Sequence, residues 1–369
     1  MTTLGEIFRR YGPAYREQFG DRMLPSHLAA MAAIEACRTE VLGGQVYSCP
    51  ACATMRYSYH SCRNRHCPRC QQDAAQTWLE RQQELLLPVP YFMVTFTLPA
   101  ELREVARSHQ QQIYSLLFRA SASTLQQLAL DPRFIGGQIG MVGVLQTWTR
   151  DLRYHPHIHY LVPAIGLAAD GHLVQPKTHF LVHVKPLAAL FRAKMRAALR
   201  QLHLEALIPA ETWQQAWVVD CRPVGNGLRA LKYLAPYIFR VALSNNRIIR
   251  VENDQVTFRY TLGATGQTKY CTLPAEEFIR RFLQHVLPKG FVKVRYYGLF
   301  GPGQRQLLTR IRGQLLLQQR IAEMQSPASA TPAPIAARRL VCPSCGRPLR
   351  LERILVPHNR GPPGLPRMT

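Results

Sequence analysis

Acidic residues are few in this 369-residue sequence, and lysine is scarcer still. Against 46 basic residues stand 22 acidic ones, and only seven of the 46 are lysine. The formal charge of +24 is therefore carried by arginine. Guanidinium groups pair bidentately with phosphate and stack on bases, so this excess points to nucleic acid rather than to a membrane surface. Long apolar runs are also missing. None reaches the ~20 residues of a bilayer-spanning helix, and MTTLGEIFRRYG carries charges where an export signal has its apolar core. A cytoplasmic protein without membrane contact is expected. Ten cysteines in such a chain argue against a disulfide framework. No phosphate-loop motif is found, which argues against a helicase domain, and no internal repeat suggests a solenoid.

The 47 % of hydrophobic residues suffices for a buried core. Four stretches follow one another. Residues 1–88 combine short helical patterns (LGEIFRRY, HLAAMAAIEACR) with a cysteine-rich, hydrophobe-poor segment, and read as a zinc-binding DNA-recognition module. Residues 89–250 alternate strand candidates (YFMVTFTLP, GQIGMVGVLQTW, HPHIHYLVPAIGL, HFLVHVKP, TWQQAWVVDCRPV) with helical patterns, as in an α+β catalytic domain. Residues 251–325 form a basic extension of that region. Residues 326–369 comprise a small-residue and proline linker (SPASATPAPIAA) and a tail with its own CPSC.

Cysteine spacing points to metal. Cys49-x-x-Cys52 and Cys67-x-x-Cys70 are two chelating turns, and together they would complete one closed tetrahedral zinc site. Cys62, His66 and Cys37 lie close by, as competing ligands or as part of a second site. Cys342-x-x-Cys345 is half a site, to be completed by His358, by a partner chain or by nothing. The zinc loop carries Arg63, Arg65 and Arg69 with Tyr57 and Tyr59 nearby, a basic and aromatic surface suited to DNA.

In HPHIHYLVP, His157 and His159 are one strand step apart, so both imidazoles project from the same face and can share one divalent metal. The helical segment LRALKYLAPYIFRVAL places Tyr233 and Tyr237 four apart on one face, with Pro236 kinking the helix between them. A metal-polarised phosphodiester is open to attack by a phenol oxygen. Taken singly, the histidine pair is more often coincidence and the tyrosine helix more often an aromatic core face.

Together these motifs resemble the rolling-circle transposases of the insertion sequence 91 family, within the HUH nucleases (histidine, hydrophobic residue, histidine). The matching segments are ACRTEVLGGQVYSCPAC, SCRNRHCPRCQ, FTLPAELR, HPHIHYLVPAIG, KYLAPYIFRVALSNNRI and EEFIRRFLQHVLPKGFVKVRYYGLF, running in the family's order from about residue 25 to 305. The resemblance implies an HUH core: an antiparallel sheet flanked by helices, with the metal site on a central strand. It implies that His157 and His159 bind Mg²⁺ or Mn²⁺. The third ligand is open, with Gln146, His155 and a residue of the tyrosine helix as candidates. It further implies that Tyr233, Tyr237 or both attack single-stranded DNA at hairpin-bearing element ends, leaving a 5' phosphotyrosine and a free 3' hydroxyl. A bacterial, nucleoid-associated location would follow.

Arg280, Arg281, Lys293 and Arg295, interleaved with Phe291, Tyr296 and Tyr297, form a second candidate DNA contact. Two other functions compete: a replication initiator or relaxase-like nickase, and a zinc-containing DNA-binding protein without catalysis. The oligomeric state is not legible in the sequence.

Overall fold

The protein is seen here as a computed structural model that describes residues 2–70, 78–80, 82–83, 85–176, 181–229, 231, 242–263, 265–323 and 340–357. Tyr233, Pro236, Tyr237 and His358 lie outside the described residues. The fold is α+β and forms two compact units. Both are discontinuous in sequence. One gathers the described residues of 1–72, 243–286 and 326–369, the other those of 73–242 and 287–325.

The second unit is built on a seven-stranded, wholly antiparallel sheet of β3 (Pro90–Thr97), β4 (Gln138–Trp148), β5 (Tyr154–Pro163), β6 (Gly166–Leu167), β7 (Leu173–Val174), β8 (Val219–Asn226) and β12 (Val294–Gly298). Their order is β7-β6-β4-β5-β3-β8, with β12 also paired to β4. The central strands β3, β4 and β5 are covered on both sides, which explains their near-continuous apolar sequence. Side chains alternate between two clusters. Phe96, Tyr160 and Ile158 pack into one with the helices Gln110–Ala129 and Val184–Gln201; Tyr91, Met93, Val144 and Leu161 enter the other. The helix Val184–Gln201 buries Leu187, Phe191, Met195 and Leu199, one side chain every four residues.

Two strand expectations change here. In HFLVHVKP, Leu181 and Val182 are buried but the described residues 181–183 form no strand, and a helix starts at Val184. Pro186 falls within its first turn, where a missing N–H costs nothing. In TWQQAWVVDCRPV, Ala210–Trp213 is a short 3₁₀ turn, and the strand begins only at Val219.

The first unit opens with the helix Leu4–Phe19, started by a capping box in which Thr3 and Glu6 bond each other's backbone N–H. Its buried Leu4, Ile7 and Phe8 face inward, and Phe8 meets Phe282 of the helix Ala275–Leu283 edge-on at 5.4 Å. The helix Pro25–Ala36 leads to the hairpin of β1 (Gly44–Ser48) and β2 (Met55–Tyr59). A third strand, β13 (Arg350–Leu355), joins β1 from the far end of the chain. A separate meander comprises β9 (Ile248–Glu252), β10 (Gln255–Thr261) and β11 (Thr268–Pro274).

Candidate active site and metal centres

The strand period places His155, His157 and His159 on one face of β5, with ring centroids 5.3 and 4.8 Å apart along the row. Pairing then sets their neighbours. His157 lies opposite Gln146 of β4 and Thr97 of β3; His159 lies opposite Val144 and Thr95, and Thr95 lies opposite Asp220 of β8. Gln146, His157 and His159 are 6, 8 and 9 % exposed. Burial lowers both imidazole pKa values, His157 well below the ordinary histidine value and His159 to about 4, the latter helped by the nearby Arg222 cation. Both rings are therefore neutral at physiological pH, as metal binding requires.

The hydrogen bonds orient these rings. His157 Nδ1 lies 2.6 Å from the His155 carbonyl oxygen, which can only accept, so Nδ1 carries the proton and Nε2 keeps its lone pair. His159 Nδ1 lies 2.9 Å from the Thr95 hydroxyl. Gln146 donates from Nε2 to the Trp148 carbonyl at 3.1 Å, while its Oε1 is buried without a hydrogen-bond partner. An orphaned amide oxygen costs about 1–3 kcal/mol. Here it shares a face with the two imidazoles, and this donor set of two nitrogens and one oxygen suits a divalent cation. His155 is engaged elsewhere: its Nδ1 is 2.9 Å from the Arg103 guanidinium, and burial depresses its pKa with Arg103 and Arg153 adding to the effect. Thr95, Asp220 and Arg222 belong to this surroundings and escaped the sequence reading, because only strand pairing brings them into the row.

Leu231, the last described residue before Tyr233, is buried in the cluster of Met93, Val144 and Leu161.

The cysteines group otherwise than their spacing suggested. The single site expected from Cys49, Cys52, Cys67 and Cys70 does not form, because the β1–β2 hairpin separates the two turns. Cys49 and Cys52 sit at its closed end, whereas Cys62, Cys67 and Cys70 follow β2 at the open end, about five strand residues or roughly 17 Å away. Instead, Cys37, Cys62, Cys67 and Cys70 form one group and Cys49, Cys52, Cys342 and Cys345 another, each with its sulfurs within 4.8 Å of one another. In the first, Cys37 Sγ and Cys62 Sγ approach Cys70 Sγ to 3.5 and 3.6 Å. Hydrogen bonds with Cys62 and Cys67 lower the Cys37 pKa, and bonds with Cys37 and Cys67 raise that of Cys62. His66 is buried in the same loop but is not among the converging donors.

Of the candidate DNA contacts, Arg63 is exposed in a left-handed turn at φ 52°, while Arg65 is half-buried and its pKa lowered by burial. Arg69 is partly buried between Cys67 and Cys70. Arg280 and Arg281 both pair with Glu277, at 2.5 and 2.7 Å. Arg295 lies over the Phe118 and Phe291 rings at 4.4 and 5.3 Å. Lys293 is partly buried and its carbonyl accepts from Leu145 N–H.

An antiparallel α+β core with a buried histidine pair and a cysteine-rich module defines the class, and comparison gives the family. Residues 140–306 match the family model described as "Putative transposase", and residues 7–98 match the transposase zinc-binding domain. The Sinorhizobium fredii protein named "Putative transposase y4qJ" is 40 % identical over 94 % of this chain and 91 % of its own length. The transposase of insertion sequence element IS801 from Pseudomonas savastanoi is 28 % identical over 81 % of this chain and 74 % of its own. The chain belongs to the insertion sequence 91 family of transposases. Among solved structures, the conjugative relaxase TrwC in complex with oriT DNA aligns with 31 % of this chain and 44 % of its own, at 19 % identity and a TM-score of 0.27.

Proposed function

We propose that this transposase nicks and rejoins single-stranded DNA at the ends of its insertion sequence, in rolling-circle fashion. The observation that carries the reading is the buried triad of His157, His159 and the unpartnered Gln146 Oε1 on one face of the central strands. These three residues would hold Mg²⁺ or Mn²⁺, which when bound supplies charge to polarise a phosphodiester. The chain's own residues do the rest. The His155 carbonyl and Thr95 hydroxyl hold the two rings in place. Arg222 beside His159 adds positive charge suited to a phosphate. Tyr233 or Tyr237 provides the nucleophile: its phenol oxygen bonds to phosphorus, the bond to the 3' oxygen breaks, and a 5' phosphotyrosine and a 3' hydroxyl result. Bond energy stays in the ester, so no nucleotide is consumed. The cysteine module, with zinc bound, would present Arg63 and Arg69 to hairpin-bearing ends. A cytoplasmic, nucleoid-associated enzyme fits this role.

The test is adduct formation. With Mn²⁺ and labelled single strands from the element ends, the protein should yield a covalent species on a denaturing gel. Tyr233→Phe with Tyr237→Phe should abolish it, and Gln146→Leu should lower its yield about tenfold or more. Adducts surviving in the double tyrosine variant would refute the nucleophile assignment. An unaffected Gln146→Leu enzyme would refute the third ligand.

A further inference from the structure

Among the described tail residues 340–357, only Cys342 is buried. In β13, Arg350, Leu351, Glu352, Arg353 and Ile354 are exposed, so burial does little to hold this strand against β1. A segment this short, without a core, generally needs a staple. Four thiols are placed to supply one. Cys49 Sγ is 3.5 Å from Cys345 Sγ, and Cys52 Sγ is 3.5 Å from Cys342 Sγ and 3.7 Å from Cys345 Sγ. Zinc–sulfur bonds of about 2.3 Å in a tetrahedron give sulfur–sulfur edges of about 3.8 Å. Cys52 stands nearly equidistant from both tail sulfurs, which suits one shared centre rather than two separate pairs.

The backbones of the two turns repeat each other. Cys49 N–H donates to the Thr54 carbonyl, Ala53 N–H donates back to the Cys49 carbonyl, and Ala53 is left-handed at φ 55°. In the tail, Cys342 N–H donates to the Arg347 carbonyl, Gly346 N–H to the Cys342 carbonyl, and Gly346 is left-handed at φ 73°. Both turns read Cys-Pro-x-Cys, with the left-handed residue directly after the second cysteine. Two loops 290 residues apart that share one chelating conformation and converge on one point form a matched pair. Around them, Arg56 donates to the Val341 carbonyl at 3.5 Å and the Ser48 hydroxyl donates to Glu352.

We infer that Cys49, Cys52, Cys342 and Cys345 form a second structural zinc site, separate from Cys37, Cys62, Cys67 and Cys70, which clamps the C-terminal tail onto the N-terminal module. The matched zinc-binding domain ends at residue 98, so half of this site lies outside it. The inference is independent of the DNA chemistry, since metal content is read without substrate.

Native mass spectrometry of the full chain should show two zinc ions, and the Cys342→Ser/Cys345→Ser variant one. With Co²⁺ in place of zinc, the variant should lose about half of the visible tetrathiolate absorption. Iodoacetamide should spare Cys342 and Cys345 in the zinc-loaded wild type and label them, together with Cys49 and Cys52, after chelation. Two zinc ions in the variant, one in the wild type, or equal labelling of Cys342 and Cys345 with and without chelator would overturn the inference. The labelling arm needs no variant and therefore does not depend on the variant's folding.

Discussion

At the scale of single residues, the buried histidines couple stability to pH. His159 has its pKa depressed to about 4 by burial, helped by Arg222, against about 6.5 in an unfolded chain. A depressed pKa means that the unfolded state binds the extra proton first. The contribution is thus fully present above pH 6.5 and is lost as the pH falls toward 4. For the metal-free protein, urea unfolding should show stability declining across that window, with His159 contributing on the order of 3 kcal/mol. His159→Gln should flatten the decline, and an identical pH profile in the variant would contradict the burial of this ring as the cause. The common face of the two histidines was legible from the period of a strand. That Gln146 faces His157 was not legible in the sequence, because only the β4–β5 register brings the two together.

At the scale of elements, the sheet depends on close approach where β4 passes β5. Gly143 lies opposite Tyr160, and a Cβ there would meet the Tyr160 ring at 2.5 Å. That ring cannot yield easily, because its hydroxyl is 2.8 Å from Ser121 Oγ of the helix Gln110–Ala129 and its edge packs on Phe96. Gly143→Ala should therefore cost about 1–3 kcal/mol, seen as a lower urea midpoint with an unchanged slope. A variant as stable as wild type would show that Tyr160 has room to move. Helices and central strands were readable from periodicity, since their buried side chains recur at four or at two. The segment HFLVHVKP was misread because an apolar run ahead of a helix resembles a strand until the fold shows what it packs against.

At the scale of the whole molecule, the charge of +24 should govern affinity for DNA. Single-strand binding measured by fluorescence anisotropy should weaken steeply with salt, and each phosphate contact removed should reduce the log–log slope by about 0.7. Arg63→Ala, at an exposed loop position, should show that reduction. Arg295→Ala should leave the slope unchanged and lower stability instead, because its guanidinium is stacked on Phe118 and Phe291. The opposite pattern would exchange the roles of these two arginines.

Sequence alone determined the chemistry available: imidazoles paired on one face of a strand, cysteine pairs at chelating spacing, and arginine suited to phosphate. These follow from residue type and local period, which need no knowledge of distant segments. Tertiary structure decided the partners. Which thiols converge depended on a hairpin of two five-residue strands holding Cys52 and Cys67 apart and on a tail strand returning to β1. Which side chain faces His157 across the sheet depended on strand register. Both are contacts between segments remote in the chain, and spacing along a sequence carries no information about them.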